Sequence, residues 1–93
     1  MLKIYRDFKR LEKVMRGLYF EDDEVLQTVE SFGFEGNKRE GDGMKEVNVT
    51  KGRRKIACFA FKKDGTFYFS VLSLDFQSEL LEKTEYGGGY RSC

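Results

Sequence analysis

The sequence predicts an α+β fold: an N-terminal antiparallel helix hairpin packed on a three-stranded antiparallel β-meander, then a short C-terminal helix and a flexible tail (ααβββα). Three observations carry this expectation. Apolar residues recur at helical steps early in the chain and then alternate from about residue 44. Glycine-bearing turns punctuate the alternating runs. The side-chain facing that one turn imposes agrees with the facing imposed by the other. The 93 residues suit one domain, taken as 1–83, with the tail at 84–93.

Residues 3–19 are the clearest element. Ile4, Phe8, Leu11, Met15 and Leu18 follow one another at steps of four and three, forming one helix stripe that Val14 and Tyr19 widen. Lys3, Arg6, Lys9, Arg10, Lys13 and Arg16 fall on the opposite arc, with Asp7 and Glu12 at its margins. A second helix, at 23–32, starts in the acidic run Glu21-Asp22-Asp23-Glu24, which suits the positive end of a helix dipole. Its stripe is Val25, Leu26, Val29 and Phe32. Gly33 fits the left-handed position after the last turn, so that Phe34 folds back as in a Schellman cap. The short link between the helices predicts a hairpin, and EGNKREGDG at 35–43, without an apolar side chain, predicts a loop.

Val47 and Val49 then alternate, Thr50-Lys51-Gly52 reads as a turn, and 56–61 as a strand. Lys63-Asp64-Gly65 is the next turn and 66–72 the last strand. This turn sets Phe61 opposite Phe67, Phe59 opposite Phe69 and Ala57 opposite Val71, bringing four phenylalanines to the helix-covered face. The other face would carry Ile56, Cys58, Ala60, Tyr68, Ser70 and Leu72, and either the C-terminal helix covers it or it meets another molecule. Asp75 is the expected cap of the final helix, with Phe76, Leu80 and Leu81 inward.

The chemistry is sparse. The chain has no His, Trp or Pro, which removes the usual near-neutral acid–base group. Cys58 lies in an apolar run and reads as a small buried hydrophobe, and Cys93 as a free thiol in the tail. Glu40, Asp42 and Glu46 lack calcium-loop spacing, and GNKREGDG lacks the ending of a phosphate-binding loop. Neither a catalytic residue, a metal nor a cofactor is expected. No apolar run is long enough for a membrane span, so the expected location is the cytoplasm, of the parent cell or of a host.

Charge is segregated beneath a formal net charge of +1. Residues 1–19 carry six positive and two negative side chains (net +4), and 20–35 carry six negative ones (net −6). Residues 36–63 carry nine positive and three negative (net +6), and 64–93 two positive and five negative (net −3). Arg16 is the expected partner of the acids that open the second helix. Lys3, Arg6, Lys9 and Lys13 on the first helix, and Lys51, Arg53, Arg54 and Lys55 at a strand turn, remain as candidate binding residues.

Known nucleic-acid modules do not fit. Lys51-Gly52 and Cys58-Phe59-Ala60-Phe61 supply pieces of an RNA-recognition signature, but Arg53-Arg54-Lys55 interrupt them and two helices precede the strands. A winged helix would put an acidic helix start against phosphates. A double-stranded-RNA module needs basic residues where Asp75 and Glu79 stand.

Two functions survive. The first is a small non-enzymatic regulator or inhibitor, of the kind viruses and mobile elements carry, that occludes an acidic surface on a protein partner. Ile56, Tyr68 and Leu72 would then form an apolar interface, with homodimerisation through the same face as a variant of this reading. The second is nucleic-acid binding by the basic arc of the first helix and the 51–55 turn.

Overall fold

Lys3–Met15 (α1) is helical, as the apolar spacing requires, and Phe8, Leu11 and Met15 are buried along it. In this computed structural model, which describes residues 3–84 and side chains to residue 81, the helix ends earlier than the stripe suggested. After the Arg16 N–H to Glu12 carbonyl bond (3.1 Å), Gly17 and Leu18 bond three residues back, at 3.0 and 3.1 Å, tightening the last turn. Leu18 still packs on the core, but Val14 and Tyr19, expected to widen the stripe, are exposed. Of the tail predicted at 84–93, Thr84 still belongs to the last helix, and the rest, with Cys93, lies outside the described residues.

Glu24–Ser31 (α2) buries Val25 and Val29. Its Schellman ending is present: Gly33 has φ +90°, its N–H bonds the Glu30 carbonyl at 2.9 Å, and the Phe34 N–H reaches the Val29 carbonyl at 3.3 Å. Phe34 is thereby folded into the core.

The expected loop at 35–43 is instead mostly a strand, Glu35–Gly41 (β1). It pairs antiparallel with Met44–Lys51 (β2) from Glu35 opposite Thr50 to Gly41 opposite Met44. Asp42-Gly43 is the two-residue turn, with Gly43 at φ +72°. Its apolar signal is missing because this edge strand buries backbone, not side chains. At Gly36 it comes so close to α2 that an added Cβ would lie 3.0 Å from Leu26 Cδ2 and 3.2 Å from Val29 Cγ1.

Arg54–Phe61 (β3) and Phe67–Leu72 (β4) complete a four-stranded antiparallel meander in the order β1-β2-β3-β4. The predicted turn around Asp64 forms: Lys62 N–H bonds the Thr66 carbonyl at 2.8 Å, and Gly65 takes φ +94°. Phe61 opposes Phe67 as expected.

Two bulges then change which residues face the helices. The β2–β3 turn is the two-residue Gly52-Arg53 instead of the expected three-residue Thr50-Lys51-Gly52, and the register shifts between Val49 and Thr50. Val49 opposes Ala57 while Thr50 opposes Lys55, so Ile56 is the extra residue and is fully buried. On β4, Phe61 opposes Phe67 but Ala60 opposes Phe69, leaving Tyr68 as the extra residue. Beyond it the facing is inverted. Ser70 and Leu72 join the helix side, while Phe69 and Val71 turn outward. Phe59 therefore meets Ser70, not Phe69, and three sheet phenylalanines share the core rather than four.

Leu74–Thr84 (α3) starts from Ser73, not from the expected cap Asp75. The Ser73 hydroxyl accepts the Phe76 N–H (3.1 Å) and donates to the Lys55 carbonyl (2.6 Å), tying the helix start to β3. Phe76 is buried and Leu80 packs on the core, whereas Leu81 is exposed.

All three helices lie on one face of the sheet. Phe8 stacks on Phe59 with centroids 5.5 Å apart, and Phe76 meets Tyr5 at 6.5 Å. The result is an α+β domain of two layers, ααββββα. Each fully buried large apolar side chain adds about 1.5–3 kcal/mol relative to exposure, and Phe59, Phe61 and Phe76 are the largest of them.

Candidate binding surfaces

The basic residues singled out by the sequence do not form one site. Lys9 pairs with Glu12 at 2.9 Å and sits beside the Tyr5 ring. Arg16 also reaches Glu12, at 3.7 Å, and covers the Phe67 ring, instead of meeting the acids before α2. One of those acids, Glu21, pairs with Lys45 on β2, and that bond holds its carboxyl below the usual range.

The 51–55 segment also divides. Lys51 donates to the Gly33 carbonyl at 2.8 Å and lies over the Phe34 ring. Arg54 pairs with Glu79 of α3 and lies by the Phe76 ring. Both act as clamps between sheet and helices. Arg53 stands at the turn, and Lys55, opposite Thr50, belongs to the far side of the sheet. Lys55 and the outer arc of α1 therefore lie on opposite sides of the molecule. On that arc Lys3, Arg6 and Lys13 remain exposed, together with Arg10, which stands in the same row.

The far side of the sheet is the second surface. None of the described elements covers it. Two rows cross it: Arg39, Glu46, Ala60 and Phe69, then Asn37, Asn48, Cys58 and Val71. Of the expected interface residues, Ile56 is fully buried and Leu72 packs on the core, for the bulge reasons given above. Tyr68 stays outside, 56% exposed, and Phe69 (41%) and Val71 (50%) join it. The rings of Tyr68 and Phe69 touch, with centroids 4.7 Å apart. Beside them lies a shallow groove lined by Arg39, Asn48, Thr50, Lys55, Cys58 and Val71, among others.

Cys58 is half-buried in this groove. Burial pushes its thiol pKa up and the nearby Glu46 carboxylate adds to the effect, so it stays a neutral thiol. Among the described residues no group of three or more acidic or cysteine side chains is placed to hold a metal ion. Among the described residues no helix is long and apolar enough to cross a membrane.

Sequence reasoning missed Phe69 and Val71 because it carried strict alternation through β4. No local signal in the sequence marks the bulge: the Ser70 hydroxyl reaches Glu12 of α1, 58 residues away, only in the folded chain. Comparison with known families, with curated proteins and with solved structures finds no match to this chain.

Proposed function

We propose that this protein is a non-enzymatic binding module, a small regulator or inhibitor that docks on a protein partner through the bare face of its sheet. The observation that carries this reading is the cluster of Tyr68, Phe69 and Val71 on the edge strand β4. Aromatic anchors beside an arginine-bearing rim are what protein interfaces enrich, and soluble chains seldom leave a sheet face with such residues bare. Arg39 and Lys55 border the groove, which favours a partner segment bearing carboxylates next to an apolar anchor.

The test is affinity capture with nuclease present, comparing the wild type with Val71→Glu. Nuclease-resistant capture of one protein that Val71→Glu abolishes supports the reading. Capture that survives Val71→Glu, or no capture at all, overturns it. Light scattering covers the remaining case: a dimer that Val71→Glu dissolves would assign the face to self-association and overturn the partner reading.

A further inference from the structure

The helix layer carries a charge arrangement that docking through the sheet does not use. Lys3, Arg6, Arg10 and Lys13 are exposed and succeed one another at steps of three, four and three residues. At 3.6 residues per turn they fall within an arc of about 80°, and at 1.5 Å per residue they span about 15 Å of α1. They make no ion pair among the described residues. The other cations of the helix, Lys9 and Arg16, are held on Glu12. Asp7, on the opposite flank, is half-buried and pairs with none of the four.

This row is also badly placed for the stability of the helix. The first turn of α1 contains no acidic residue but holds Lys3 and Arg6. Cations there oppose the positive end of the helix dipole, and like charges three and four residues apart repel. An anionic ligand relieves both effects. Such a conflict between local preference and fold is where functional residues are expected.

Membrane and protein ligands fit the row poorly. Phe8, Leu11 and Met15 are committed to the core, so the helix has no apolar face to lay into lipid. Val14 is the single exposed large apolar residue of α1, too little for an interface anchor. Phosphates need cations alone, and duplex DNA offers about nine of them along 15 Å of its axis.

We infer that α1 binds the phosphodiester backbone of a nucleic acid through Lys3, Arg6, Arg10 and Lys13, independently of base sequence. This surface is on the side of the molecule opposite β4's exposed residues, so one chain can hold a nucleic acid and a protein together.

Fluorescence anisotropy tests this with labelled duplex DNA, duplex RNA and single strands of unrelated sequences, from 50 to 200 mM salt. Four phosphate contacts on duplex DNA give a slope of log affinity against log salt of about −3 to −4, hence about a hundredfold weakening over that range. Arg10→Gln should reduce the slope by about one and weaken binding equally for every sequence. Lys63→Gln, at an exposed cation on the β3–β4 turn outside the row, should leave the isotherm unchanged. The exposed side chain of Arg10 keeps folding out of the comparison, and circular dichroism verifies it. Absence of binding at 50 mM salt, or equal losses for Arg10→Gln and Lys63→Gln, would overturn the inference. So would competition by polyglutamate or by phosphatidylserine vesicles as strong as that by nucleic acid at equal charge. Val71→Glu should bind nucleic acid normally, so this result and that of the protein-docking test fail separately.

Discussion

Glu12 is the one buried charged residue among the described side chains, 8% exposed between α1 and β4. Burial alone would raise its pKa. The Ser70 hydroxyl, the Lys9 ammonium and the Arg16 guanidinium outweigh burial and leave its carboxyl below the usual range. A lowered folded pKa means that the ionised form adds stability above the usual glutamate range. That contribution is lost as pH falls through the lowered value. Glu12→Ala should cost about 1–3 kcal/mol near neutrality, because Ser70 and Lys9 lose their acceptor. Urea midpoints of variant and wild type should converge as pH falls below about 4.3, the ordinary glutamate value. A gap that stays constant with pH would show that only packing was lost. The position of Glu12 beside the apolar stripe was legible in the sequence. Its hydroxyl partner was not, since Ser70 lies 58 residues away and turns inward only after the Tyr68 bulge.

At the scale of elements, the helices were legible because each buries a stripe and the stripe has a period. Phe8 and Leu11 on α1, or Val25 and Val29 on α2, are visible in that way. β1 was not, because it has no apolar side chain to display; Asp42-Gly43 was its trace, a hairpin turn between two segments that pair residue for residue. Gly36 and Gly41 of β1 offer a direct comparison. A side chain at Gly36 meets Leu26 and Val29 of α2, whereas one at Gly41 meets nothing within 4 Å. Gly36→Val should destabilise by about 1–3 kcal/mol through overpacking, and Gly41→Val by clearly less, both read from thermal melts. Equal effects would mean that β1 does not rest on α2.

For the whole molecule, the two-layer arrangement decides which aromatic residues bear stability and which are left on the surface. Phe59, stacked on Phe8 and fully buried, belongs to the first class. Phe59→Ala should cost about 3–5 kcal/mol, a large part of the roughly 5–15 kcal/mol that holds a typical domain folded. Val71→Ser, on the bare face, should change stability by about 0.5 kcal/mol or less. Denaturant titrations of the two variants check this division, and comparable losses would mean that the outer face is part of the fold's support. The same arrangement places the α1 cations and the β4 aromatics back to back, which a linear chain with a net charge of +1 does not display.

The sequence by itself determined the α+β class, the helical stripes, the Schellman ending at Gly33 and the turn at Asp64, because periodicity and glycine conformation are local properties. It also determined that the charge is segregated, and that Phe59 and Phe61 belong to the core. Only the tertiary structure decided that a fourth strand pairs at the edge, since backbone pairing leaves little trace in side chains. Only it decided which of Ile56, Phe69, Val71 and Leu72 face the helices. A bulge adds one residue, and one residue inverts every side chain beyond it.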